Sequence, residues 1–188
     1  GQVDYFVISV TGEDTSITAP EVVEDVVVNP ETGEEEVVEY KIEVQLDNEV
    51  AQQVIPSLTV DKIEVKEKFD GTAQITDLIQ TSANSVVFDI TLIDEISGEK
   101  IDDVKNKNKP ITVSIPVPKH MKAKNCKVVY VKDDGTYEEL NSHFDGSHLV
   151  FKVKHFSYYA LIESDPIEQI ELTDGLNTIQ ATENATYF

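Results

Sequence analysis

A period of two in the placement of apolar residues constrains this chain more than any other property. In residues 147–163, SHLVFKVKHFSYYALIE, Leu149, Phe151 and Val153 fall on one side, and Lys152 and Lys154 on the other. That is the mark of a strand with one buried face. Phe144-Asp145-Gly146-Ser147 just upstream supplies an Asp-Gly turn, which predicts a hairpin partner before it. After His155-Phe156-Ser157 the run resumes as Tyr158-Tyr159-Ala160-Leu161-Ile162. It is nearly continuous in apolar and aromatic side chains, as expected of a strand covered on both faces.

The same period recurs along the chain. Residues 3–10 form a first expected strand, and the β-branched stretch 21–28 a second. Asn29-Pro30-Glu31-Thr32-Gly33 reads as a turn, because proline presets φ and glycine accepts a positive one. Beyond it Val38, Tyr40, Ile42, Val44 and Leu46 alternate with polar residues, the cleanest one-sided strand in the chain. The two runs flanking the turn are expected to pair as an exposed, acidic hairpin. Leu58 and Val60 alternate, and the phase then slips at Asp61-Lys62 before Ile63 and Val65, which suggests a bulge. Residues 86–94 put Phe88, Ile90 and Leu92 on one face. Ile111, Val113, Ile115 and Val117 alternate in a stretch carrying Pro116 and Pro118, which predicts an edge strand or one that leaves its sheet near Pro116. Residues 126–132 and the segment after Asp133-Asp134-Gly135 complete the set.

Only one short helix is expected, near residues 48–55. Asp47 or Asn48 would cap it, Val50, Ala51, Val54 and Ile55 share a face, and Pro56 ends it. Short strands separated by frequent turns indicate an all-β, antiparallel, sandwich-like fold. Residues 1–165 are read as this module, with residues 1–83 either part of the same body or an N-terminal lobe. The acidic, weakly patterned residues 166–188 read as a linker or the start of a following module.

Charge then narrows the partners. The formal net charge is −21, and it is unevenly spread. Residues 1–100 carry 23 acids against 5 lysines, whereas residues 101–165 carry 9 acids and 10 lysines. Such a chain is repelled by nucleic-acid backbones and anionic membrane surfaces. All 15 basic residues are lysine, so no arginine fork is present for phosphate or carboxylate ligands. No stretch approaches the roughly 20 apolar residues of a membrane-spanning helix. One cysteine, Cys126, precludes an internal disulfide framework. The sequence opens without a leader and reads as a piece of something longer. A monomer is expected.

In this order and spacing, VVFDITLID, ITVSIPVP, KVVYVKDDGTYEEL and HLVFKVKHFSYYAL, within residues 84–162, resemble a module of secreted, multidomain surface proteins of Gram-positive bacteria, clostridia and their relatives. The pattern is also broadly similar to the ZU5-type β-sandwich. The resemblance implies a non-catalytic spacer or adhesion-associated domain, extracellular or attached to the cell wall. Its implied partners are neighbouring domains of the same polypeptide and cell-wall or host glycans and proteins. No cofactor is implied.

The sharpest candidate chemistry is His155-Phe156-Ser157. The triplet resembles the self-cleavage site of a nuclear-pore protein and of ZU5-containing death-domain and inflammasome scaffolds. By that resemblance Ser157 would attack the Phe156 carbonyl with His155 as general base, breaking the Phe156–Ser157 bond. The reaction requires strain at that bond. The alternative reading is a hydrogen-bonded kink with Phe156 in the core. His143, Asp145 and His148, around the Asp145-Gly146 turn, could form a surface metal site or a solvated loop. His120 suggests no partner. Cys126 reads as a small strand residue. Glu31 with Glu34, Glu35 and Glu36, and Asp133 with Asp134, offer oxygen ligands for calcium. Their other role is to keep a strand edge solvated. Tyr130, Tyr158 and Tyr159 could floor a sugar site or lie in the core. No glycine-rich phosphate loop or basic aromatic patch appears. The sequence therefore predicts a non-enzymatic module, with self-cleavage and glycan or calcium binding as the rivals.

Overall fold

The computed structural model describes residues 7–11 and 13–165. The strands in chain order are β1 (Val7–Thr11), β2 (Asp14–Thr18), β3 (Val23–Val28), β4 (Glu35–Tyr40), β5 (Glu43–Asp47), β6 (Pro56–Ile63), β7 (Ser82–Asp94), β8 (Ile111–Pro116), β9 (Cys126–Val131), β10 (Tyr137–Leu140), β11 (Ser142–Phe144), β12 (His148–Val153) and β13 (Tyr158–Ser164). Three short helices join them: α1 (Asn48–Gln53), α2 (Val65–Lys68) and α3 (Gln74–Thr81). One sheet runs β1-β2-β5-β8-β12-β11, a second runs β10-β9-β13-β7-β6, and β3 with β4 forms a separate two-stranded ribbon. The fold is all-β and sandwich-like.

Register explains the core. Ile17 pairs with Val44, Val44 with Val113, and Val113 with Phe151, so one apolar row crosses four strands of the first sheet. In the second sheet Tyr130 pairs with Tyr159 and Tyr159 with Phe88. All seven side chains belong to, or pack against, one hydrophobic cluster. The Phe151 and Tyr159 rings meet across the layers at 5.7 Å. The next row of the second sheet, Val129–Ala160–Val87–Ile63, faces the other way, because neighbouring strand residues point to opposite faces. It forms a second cluster with Phe69, Ile75, Leu78 and Ile79 from α3 and the turn before it. Strand β13 is thus covered on both faces, as its unbroken apolar run predicts.

Several expectations are corrected. Three helices stand where one was expected. The capped helix at residues 48–53 is present, with the Asp47 carboxylate accepting from the Glu49 amide at 2.9 Å. The two additional ones exist because the second sheet presents apolar residues on its outer face and needs a lid; Ile75, Leu78 and Ile79 meet that need at helical spacing. No bulge occurs at Asp61-Lys62, since pairing runs unbroken from Pro56–Asp94 to Ile63–Val87. The phase slip instead marks a change of buried face, from the inner Leu58 and Val60 to the outer Ile63. Strand β8 is not an edge but lies between β5 and β12, and of the two expectations it follows the other, ending at Pro116. The prolines are tolerated because pairing to β5 stops at Ser114, two residues before Pro116. Residues 38–46 are two strands, with the chain passing at Lys41-Ile42 from the ribbon to the first sheet. Residues 147–163 form the expected strand on either side of His155-Phe156-Ser157, and the two lie in different sheets.

The acidic hairpin is as expected, with Gly33 at φ +75° and the Asn29 side chain accepting from the Glu31 amide at 2.8 Å. Residues 14–63 supply strands to both sheets, and β5–β8 and β6–β7 pairing joins them to residues 84–165. Residues 3–6 of the first expected strand and the 166–188 segment lie outside the described residues.

Candidate functional site at the sheet crossover

His155, Phe156 and Ser157 form the link by which the chain leaves β12 in one sheet and enters β13 in the other. The link is held by its own carbonyls. Lys154 O accepts from the Asp103 amide at 2.8 Å, and Ser157 O from the Ile90 amide at 2.9 Å. The buried Tyr159 hydroxyl donates to His155 O at 2.6 Å. Phe156 packs half-buried against the core. The exposed His155 ring lies edge-on to Tyr130 at 5.2 Å. Among the described residues no hydrogen bond joins the His155 ring to Ser157, and the only non-glycine residues with positive φ are Lys107 and Asn108. The pair needed for general-base attack is therefore adjacent in sequence but not engaged in space, and the backbone at Phe156–Ser157 carries no left-handed strain.

Beside the link lies a cleft of about 390 Å³ lined in part by Asp89, Thr91, Lys100, Asp102, Asp133 and Ser157. The Asp89 carboxyl is raised above the usual range, first by burial and then by Asp61. Asp61 stands directly opposite it across β6 and β7.

Of the metal candidates, Asp145 and His148 come together, with His148 Nδ1 3.7 Å from the Asp145 carboxylate. Asp145 accepts from the Ser147 and His148 amides at 2.9 and 2.7 Å, bonds that close the turn and hold its carboxyl below the usual range. His148 Nδ1 meets the Ser147 hydroxyl at 2.6 Å, and His143 stands exposed on the edge strand β11. Asp134 is taken up by Thr136, whose hydroxyl donates to it at 2.6 Å. Asp133 lines the crossover cleft. Glu36 accepts from Asn29 at 2.8 Å, and Glu31, Glu34 and Glu35 are exposed. Among the described residues no group of three or more His, Cys, Asp or Glu side chains could hold a metal ion. The tyrosines are divided too. Tyr130 and Tyr159 share the inner face, whereas Tyr158 packs outside against Phe69 under the Lys68 ammonium. Cys126 is half-buried, and burial and then Glu163 push its thiol up to about 12, which leaves it unreactive. His120 is half-buried in the turn after β8.

Sequence patterns missed the buried polar groups that tie the loops together. Asp47 is salt-bridged to Lys109 at 2.5 Å, while its amide donates to the buried Asn106 side chain at 2.8 Å. Asp94 closes the turn after β7, accepting from the Ile55 and Ile96 amides. Burial pushes its carboxyl up, but those amides and the Ser97 hydroxyl outweigh burial and hold it down. Glu163 accepts from Asn84 at 2.7 Å and from the Lys122 amide at 2.8 Å. Most of these partners lie far away in sequence, so no local pattern could have found them.

Fold and site together define an antiparallel β-sandwich whose interior carboxylates serve turns and ion pairs. No family model matches the sequence, and no curated protein or solved structure matches it. Among the described residues no helix is long and apolar enough to cross a membrane.

Proposed function

We propose that this chain is a non-catalytic structural module of a bacterial cell-surface or secreted protein, spacing and presenting the domains beside it. The observation that carries the reading is the position of β13. This last described strand lies between β9 and β7 in the middle of its sheet. Six residue pairs join it to β9 and seven to β7. Tension passed back along the chain from residue 166 onward therefore meets two ladders at once, and both faces of the strand are packed. A further support is that the buried carboxylates Asp94 and Glu163 bind loop amides rather than converging on a reactive atom.

The test is to pull the full chain from both ends in a single-molecule force experiment. A sharp, all-or-none force peak is expected. Gradual extension without a peak would remove the mechanical reading. Intact mass separates the self-processing alternative: an uncut chain of 21.0 kDa is expected, whereas two fragments meeting at Phe156–Ser157 would replace a spacer with a self-cleaving module. Stabilisation by calcium or cell-wall sugars in a melting assay would instead assign a ligand-binding role, because a ligand that binds only the native state must raise its stability.

A further inference from the structure

The β3–β4 ribbon carries a surface whose composition is not explained by its own folding. Its inner face is anchored: Val23 and Tyr40 are buried, the Tyr40 ring meets Phe88 at 5.2 Å, and Asp25 binds Lys62 at 2.7 Å. Its outer face is not. Val26 pairs with Val37 and both point outward, 57% and 63% exposed; Val28, on the same face, is 62% exposed. Of the seven large apolar side chains exposed among the described residues, three lie on this face of the hairpin, and a fourth, Val22, immediately precedes β3. Glu24 and Glu39 face each other on the same side, and Glu35 is opposite Val28. None of these three acids is in an ion pair. Directly opposed like charges destabilise a ribbon, and a two-stranded ribbon has little stability to lose. A strand edge needs charges to resist aggregation, but it does not need solvent-facing valines between them.

We propose that this outer face docks a partner protein segment that alternates aliphatic and basic side chains. Its aliphatic groups would cover Val26, Val28 and Val37, and its lysines or arginines would neutralise Glu24, Glu35 and Glu39. Charge selects the occupant. A second copy brings the same acids and a net charge of −21. The chain's own residues 166–188 hold 4 acids and no lysine. Both are repelled where a basic segment is attracted. The inference stands independently of the spacer role.

The test uses the full chain and three short synthetic peptides: lysine alternating with valine, lysine with serine, and glutamate with valine. Binding is measured by calorimetry and located by valine methyl resonances. The lysine–valine peptide is expected to bind and to shift Val26, Val28 and Val37. Weakening of about tenfold or more is expected in V26T/V37T and in E24K/E39K, since a few central residues carry most interface energy. Equal binding of the lysine–serine peptide would reduce the effect to bulk charge and overturn the proposal. So would equal binding of the glutamate–valine peptide, or shifts elsewhere on the protein. Dimerisation in sedimentation that V26T/V37T abolishes would assign the face to a second copy. Contacts from residues 166–188 to the three valines would assign it to the chain itself.

Discussion

Tyr40 and Tyr159 are both buried tyrosines with opposite hydrogen-bonding fates. The Tyr159 hydroxyl donates to a backbone carbonyl at 2.6 Å, whereas the buried Tyr40 hydroxyl has no protein partner. Burial raises both phenols above the ordinary tyrosine value. Removing a satisfied hydroxyl costs about 1 kcal/mol, while removing an unsatisfied one costs little. Tyr159→Phe is therefore expected to lower stability by about that amount, and Tyr40→Phe to leave it unchanged or raise it. Equal losses in chemical denaturation would refute the distinction. Asp89 offers a second test. Its folded carboxyl is raised by burial and by Asp61, so the folded state favours the proton more than the unfolded state does. Stability from that group is complete below the unfolded value of about 3.9 and is lost as pH rises through the folded one. Asp89→Asn should raise the melting midpoint at pH 7 and have no effect at pH 3. A gain of the same size at both pH values would rule out an electrostatic origin.

Among the elements, α3 shows how much a helix here depends on its neighbours. Its Ile75 amide donates to Gly135 O at 2.8 Å, so the β9–β10 turn supports its first turn. Gly135 has φ +85°, and an added Cβ would lie 2.6 Å from Ala73 Cβ. Gly71, in the loop before the helix, has nothing within 4 Å of the same position. Gly135→Ala is expected to cost roughly 2–4 kcal/mol, from strain plus overpacking. Gly71→Ala should be close to neutral. Urea denaturation of the pair checks this, and comparable small effects would mean the turn does not brace the helix. The helix was hidden in the sequence because its apolar residues Ile75, Leu78 and Ile79 are few and lie among polar ones. It packs on a sheet face that also needs β9 and β13, which come far later in the chain. The α1 cap was legible because Asp47, Glu49 and Val50 are adjacent, and a cap is a local interaction.

For the whole molecule, acid is the informative perturbation. Asp47, Asp70, Asp94, Asp134 and Asp145 all have carboxyls held below the usual range. For Asp47 the leading cause is the Lys109 hydrogen bond; for Asp70 and Asp145 it is a backbone amide, and for Asp134 the Thr136 hydroxyl. Depressed folded values give stability that is full above about pH 3.9 and lost as pH falls through them. The melting midpoint should therefore turn down below about pH 4, even though protonation relieves the acidic self-repulsion. A midpoint that keeps rising to pH 2.5 would show that repulsion outweighs the turn network. By itself the sequence determined most of the strands, the acidic hairpin and the capped helix, because alternation, turn residues and caps act between near neighbours; it passed over β2, which lies in the polar stretch after the first expected strand. Only the tertiary structure decided that β8 is internal, that the 147–163 run divides between two sheets, and that His155 turns to Tyr130 rather than Ser157. Each of those depends on strands paired across long stretches of chain, where packing and register, not local preference, set the lowest free energy.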